Sequence, residues 1–175
     1  MVNHNYLVIY AITLEADLLS SLSSSPRRSV YSPFNLNSLK MDEQLLHGHN
    51  HEVCCVALRS NGHVASGSND GSIIVHSTSS NKVEYRADNV FANVFGLCYL
   101  LDGSLVACGG YDDEGPNLKV LSPSLELVQT LEGHDDGCGV FCVTVSPSGS
   151  HFASGDEDGK VMIWSEPGEG GEWAR

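Results

Sequence analysis

The sequence predicts an all-β protein assembled from four-stranded antiparallel sheets, and three observations predict it. The apolar runs are short and rich in β-branched and aromatic residues. They recur about every 8–12 residues with Gly, Ser or Asp-Gly turns between them, the spacing of hairpins rather than helices. One long stretch of this kind also occurs twice. "LLHGHNHEVCCVALRSNGHVASGSNDGSIIVH" (45–76) and "TLEGHDDGCGVFCVTVSPSGSHFASGDEDGKVMIW" (130–164) share a Gly-His pair, an apolar run, a Ser/Gly turn, Ala-Ser-Gly, an Asp-Gly turn and a second apolar run.

The strands follow in order from these signals. In the first copy they are expected near 53–58, 63–66, 72–76 and 82–87, separated by Asn61-Gly62, Asp70-Gly71 and a Ser-rich turn. His49 and His134 lie 85 residues apart, about twice one repeat, so a degenerate copy is expected between them. "VFGLCYLLDGSLVACGGYDDEGPNLKVLS" (94–122) supplies it, with strands near 94–100, 104–108, 117–121 and 125–131. The third copy places strands near 140–145, 151–154 and 160–164. Aligned on Ala65-Ser66-Gly67, Ala107-Cys108-Gly109 and Ala153-Ser154-Gly155, the copies also share a small residue seven positions before the turn glycine: Cys55, Gly96 and Cys142. A small residue in every copy suits a crowded, buried position. Helical periodicity is confined to "LEADLLSSL" (14–22), and "SSLSSSPRR" (20–28) reads as a linker.

Composition bounds the function. The chain has 175 residues, 41 % of them apolar, enough for a packed core. Its net charge of −13 is uneven: residues 1–100 hold eight acids and six Lys/Arg, residues 101–175 fourteen acids and three Lys/Arg. Such a surface repels phosphate backbones, which argues against direct nucleic-acid binding and favours a basic or neutral partner. Six cysteines without a CxxC pair, most of them inside apolar segments, fit a reducing compartment, cytoplasm or nucleus. "YLVIYAITL" (6–14) is too short to span a bilayer and lacks a basic residue before it, so no membrane attachment is expected.

Gly-His, then Ser-Gly-x-x-Asp-Gly, then Ile163-Trp164 resembles the WD-repeat β-propeller pattern over residues 41–164. The resemblance implies propeller blades of four antiparallel strands at about 53–87, 94–131 and 140–175, too few for a closed ring, with residues 1–40 a decayed blade or a leader. It also implies a hydrogen-bonded tetrad of His134, Ser154, Asp158 and Trp164 in the third copy. His49, Ser66 and Asp70 match in the first, where His76 takes the tryptophan position. In the second copy the histidine is missing, Cys108 and Leu121 replace Ser and Trp, and packing alone is expected to hold the blade.

Other chemistry competes with turn and tetrad roles for these residues. A calcium loop on Ser154, Asp156 and Asp158 would need a bidentate Glu where Ser165 stands. A Ser-His-Asp nucleophile set lacks a glycine-framed turn and an oxyanion site. His47, His49 and His51 have the alternation of strand-borne zinc ligands, but the expectation is that His49 serves the tetrad while His47 and His51 are solvated. The expectation is therefore no catalysis, no metal and no cofactor. The family places its Gly-His loops and Asp turns on one face, which here would display His51, Asp112, Asp113, Glu114, Asp135, Asp136, Asp156 and Glu157. The expected function is a scaffold that binds proteins or peptides within a larger intracellular complex, gripping a basic partner through this acidic face. Since "GEGGEWAR" ends where another outer strand should start, the missing blades are expected from further sequence or from a partner.

Overall fold

The computed structural model describes residues 6–13, 40–110, 117–166 and 172–175. Every element within them is a strand: β1 (Tyr6–Thr13), β2 (Lys40–His47), β3 (Val53–Leu58), β4 (His63–Ser68), β5 (Ile73–Ser77), β6 (Lys82–Ala87), β7 (Asn93–Tyr99), β8 (Leu105–Gly110), β9 (Leu118–Leu121), β10 (Leu127–Thr130), β11 (Val140–Val145), β12 (His151–Asp156) and β13 (Val161–Ser165). The expected helix at 14–22 and linker at 20–28 lie outside the described residues. Two units divide the chain, Val8–Leu45 and the remainder, so the boundary falls near residue 45. Within the smaller unit β1 and β2 form a two-stranded sheet. The run at 6–14, apolar enough to raise the question of a leader, is thus mostly strand.

Three antiparallel sheets build the larger unit: β3-β4-β5-β6, β7-β8-β9-β10 and β11-β12-β13. Each is a meander, because tight turns join neighbours at Gly62, Gly71, Gly103, Gly149 and Gly159, all at positive φ, where a Cβ would be strained. The third sheet has three full strands. Among the described residues its outer edge carries one further bridge, from Ser165 to Ala174. Among the described residues the sheets follow one another without closing.

The register defines the repeat better than the letters do. Val56 opposes Ser66, Leu97 opposes Ala107, and Val143 opposes Ser154. Ala107, not Cys108, therefore stands in the serine position of the second sheet, and Cys108 faces the small-residue position Gly96. The one-residue offset has a simple source. Gly62 and Gly103 lie four residues before Ser66 and Ala107, whereas Gly149 lies five before Ser154, an extra residue, Ser150, following it. Every inner strand also has a β-bulge at the same place: Val53/Cys55, Val94/Gly96 and Val140/Cys142.

Strand alternation gives each sheet two unlike faces. Ala57, Ala65, Ile73 and Val75 of the first sheet pack on Val94, Leu97, Leu105, Ala107 and Leu121 of the second. The opposite face of the second sheet, with Cys98, Val106, Cys108, Leu118 and Val120, packs on Val140, Phe152 and Trp164 of the third. β3 and β4 lie against β7, and β7 and β8 against β11, so inner strands make the seams. Close approach there excludes side chains: a Cβ on Gly67 would lie 2.4 Å from Val94, and one on Gly96 2.7 Å from the Cys108 sulfur. Within this second cluster, Phe152 stacks on Trp164 at 5.9 Å between ring centroids and meets the Trp173 ring edge-on at 4.9 Å. Gln129 on β10 fixes Trp173 by donating to its carbonyl and accepting from its amide.

Candidate functional site

The polar residues of the repeat meet where the loop before each inner strand crosses the turn after the second strand. In the third sheet β12 presents Ser154 and Asp156 on one face, two residues apart, and β13 places Trp164 beside them. The indole Nε1–H donates to Ser154 Oγ at 2.9 Å. His134 Nε2 lies 2.6 Å from the same oxygen, and His134 Nδ1 lies 2.7 Å from Asp156 Oδ2. An imidazole protonated on Nδ1 satisfies the whole chain: Trp164 donates to Ser154, Ser154 to His134, and His134 to Asp156.

The carboxylate that holds His134 is Asp156 rather than Asp158. A strand residue two positions from Ser154 shares its face, whereas Asp158 lies in the exposed turn beyond the strand end. Asp156 also accepts from the Lys160 amide at 2.8 Å, and its side chain is fully buried. Burial alone would raise its pKa, but the His134 hydrogen bond and the Lys160 amide outweigh that and hold it below the ordinary carboxylate value. A buried carboxylate cannot serve as a solvated rim charge, so Asp156 leaves the set of candidate partner-binding residues.

The first sheet solves the same problem differently. Val53 opposes Ser68 where Val140 opposes Asp156, so Ser68 occupies the strand position and the acid moves into the turn as Asp70. His49 Nε2 lies 2.8 Å from Ser66 Oγ and its Nδ1 lies 2.9 Å from Ser72 Oγ, which donates to Asp70 at 2.6 Å. Asp70 itself is 3.5 Å from His49 and also accepts from the Asn50 amide. Desolvation works against its ionised form, but the Ser72 and Asn50 hydrogen bonds hold its pKa well below the usual range. Burial lowers the pKa of His49, only partly offset by Asp70. His76 takes the tryptophan position and donates Nε2–H to the His47 carbonyl at 3.0 Å. Its Nδ1 is buried with no hydrogen-bond partner among the described residues.

The second sheet lacks these groups, yet packing is not its only anchor. Lys119, opposite Ala107 on β9, donates to the Val90 carbonyl at 2.5 Å and sits over the Phe91 ring at 4.4 Å from the centroid. The lysine thus ties the third strand to the preceding loop, as His134 does in the third sheet. Lys119 appears in the sequence only as a polar residue inside an apolar run, and that interruption was the available signal.

Of the remaining candidate rim residues, Asp135, Asp136 and Glu157 are exposed, and Asp112, Asp113 and Glu114 lie outside the described residues. Asp135 pairs with Lys160. Glu157 accepts from the Gly139 amide at 3.1 Å, and His51 pairs with Glu52. His49 is committed to serines and His51 to Glu52. Among the described residues no three His, Cys, Asp or Glu side chains could hold a metal ion. All six cysteines are free thiols, of which Cys54 and Cys142 are exposed rather than packed. Burial pushes Cys55 and Cys98 up to about 12, values at which a thiol is not a nucleophile.

Comparison with known proteins agrees with this geometry. The family described as "WD domain, G-beta repeat" matches residues 42–77 and 125–165, which hold the first and third copies. The chain is 52 % identical over 52 residues to a ribosome biogenesis protein WDR12 homolog of Chlamydomonas reinhardtii, covering 30 % of this chain and 11 % of that protein. It is 42 % identical over 48 residues to THO complex subunit 3 of Arabidopsis thaliana, covering 27 % of this chain and 15 % of that protein. It is 36 % identical over 61 residues to human echinoderm microtubule-associated protein-like 1, covering 34 % of this chain and 8 % of that protein. In structure it resembles a chain of the mitotic checkpoint complex crystal structure, with a TM-score of 0.60, 26 % identity, and coverage of 71 % of this chain and 38 % of that one. The chain carries WD repeats at these two segments, and its three larger sheets are propeller blades that, among the described residues, do not close into a ring.

Proposed function

We propose that the chain is a non-catalytic interaction module that binds a basic protein segment through its acidic loop corners. The observation that carries this is the grouping of exposed Asp135, Asp136, Glu157 and Asp158 around the third blade's tetrad, in the acidic half of the chain. The tetrad atoms themselves are buried and mutually satisfied, which suits joinery and leaves no free nucleophile or base. The named relatives are a ribosome biogenesis protein, a THO complex subunit and a microtubule-associated protein-like protein, which supports a role in protein assemblies. A reducing cytoplasmic or nuclear setting accords with six free thiols.

Charge steering predicts a salt-sensitive association rate with a basic partner. The test uses a fluorescent Lys/Arg-rich peptide and the variants Asp136→Lys and Glu157→Lys. Binding should weaken at least tenfold in the double variant and fall as salt rises. Equal binding by wild type and double variant would refute the acidic corner.

A further inference from the structure

The turns between first and second strands show how the two seams are finished at the end away from the tetrads. Successive turns of an antiparallel meander alternate ends, so Gly62, Gly103 and Gly149 lie at the opposite end from the Asp turns. In each seam a side chain of the earlier blade covers the turn glycine of the next. Arg59 covers Gly103 and Leu101 covers Gly149, and neither leaves room for a Cβ. The Arg59 guanidinium donates to the Asp102 carbonyl at 3.2 Å and lies over the Tyr99 ring at 5.9 Å from its centroid.

The second seam offers a cation similar surroundings and supplies none. Leu100 stands three residues before Gly103, as Arg59 does before Gly62, and it is buried. Beside it a cavity of about 190 Å³ opens between the second and third blades, lined by Leu100, Leu101, Asp102, Gly149, Glu166 and Trp173. No lysine or arginine lines it. Its walls are preset. Trp173 is held by both hydrogen bonds to Gln129 and by the edge-on contact with Phe152. Asp102 is oriented by the Ser104 amide and hydroxyl, which donate to its carboxylate at 2.8 and 2.9 Å. Asp102 and Glu166 are exposed, and Leu101 is 74 % exposed.

An indole wall, a leucine floor and two carboxylates suit an apolar stem that ends in a positive charge. The volume fits one long side chain rather than a drug-sized molecule. We infer that this cavity takes an arginine side chain of a partner polypeptide, its stem over Leu101 and its guanidinium between the Trp173 indole and the Asp102 and Glu166 carboxylates. The partner then supplies from outside the cation that Arg59 supplies within the first seam. Arginine is favoured over lysine because its planar fork stacks on a ring and bonds two acceptors together. The site lies at the other end of the strands from Asp135, Asp136 and Glu157, and it stands without the acidic corners.

The experiment is an NMR titration of the whole chain that follows the indole N–H resonance of Trp173, identified by its loss in Trp173→Phe. The probe is the tripeptide acetyl-Gly-Arg-Gly-amide, added to about 20 mM, and half-saturation is expected at about 1–10 mM. The same peptide with citrulline, which keeps the shape and removes the charge, should bind at least about fivefold more weakly. A lysine peptide should bind about twofold to threefold more weakly than the arginine one. Glu166→Gln, an exposed change that leaves the fold intact, should weaken arginine binding about threefold. The Asp136→Lys, Glu157→Lys double variant should bind the probe within about twofold of wild type, so that loss of the acidic corners and loss of this site read out separately. An unmoved Trp173 resonance overturns the inference, as does equal binding of the citrulline peptide or no effect of Glu166→Gln. Equal or tighter binding of the lysine peptide overturns the assignment to arginine.

Discussion

Ser154 is the residue on which the third blade's polar chain turns, and removing its hydroxyl gives a calculable loss. In Ser154→Ala the Trp164 indole N–H, on a side chain 2 % exposed, loses its acceptor, and His134 Nε2 loses its donor. A stranded buried polar group costs about 1–3 kcal/mol, so two such groups give roughly 3 kcal/mol in total. Ser66→Ala in the first blade strands His49 Nε2 and removes besides only a long 3.4 Å contact with the Ile74 carbonyl, since His76 does not bond to Ser66, and should cost roughly 1.5 kcal/mol. For a chain of this length about 2–4 °C of Tm is lost per kcal/mol, which predicts drops of roughly 6–12 °C and 3–6 °C. Calorimetry or circular dichroism melts measure both. Trp164→Phe completes a double-mutant cycle with Ser154→Ala, in which the shared hydrogen bond appears as about 1 kcal/mol of coupling. A Ser154→Ala melt within a degree of wild type, or zero coupling in the cycle, would refute the polar chain as a structural element.

Three more outcomes follow from the geometry. Asp156→Asn should cost about 2 kcal/mol, because the buried amide cannot replace a charge-assisted acceptor for His134, whereas Asp158→Asn in the exposed turn should stay within about 0.5 kcal/mol; urea midpoints separate the two. Lys119→Met keeps the stem but loses the Val90 hydrogen bond and the Phe91 contact, and should lower stability by about 2 kcal/mol, seen as faster amide exchange in the second blade. Stability should also fall with acid in two stages. His49 has a lowered folded pKa, so its contribution is complete above the unfolded value near 6.5 and declines below it; Asp70 and Asp156, also lowered, keep theirs above about pH 4 and lose it below. In urea titrations from pH 8 to 3, His49→Gln should flatten the first stage and leave the second.

Period-2 patterning and turn glycines made the strands legible, from Val53–Leu58 through Val161–Ser165, because a half-buried hairpin writes both into its sequence. The site was legible in part. His134, Ser154 and Trp164 do come together, and so do His49 and Ser66. Asp158 was the natural choice beside Gly159, yet a turn carboxylate and a strand carboxylate two residues earlier look alike in one dimension, and only the pleat distinguishes them. Cys108 and Ala107 were confused for a related reason. A register shift of one residue exchanges the two faces of a strand, and the inserted Ser150 hides that shift from a gapless alignment. Lys119 could not be found by looking for the missing histidine, since it reaches the same loop from a different strand.

The bulge that recurs at Val53/Cys55, Val94/Gly96 and Val140/Cys142 has a mechanical consequence. An extra residue sharpens the right-handed coil of a strand pair, so each of the three sheets takes its added twist at the same register position. A shared winding point lets successive sheets repeat one packing geometry, like the treads of a spiral stair. Deleting one residue at Val94 would leave a single tread cut to another angle, and every sheet above it would arrive rotated out of step.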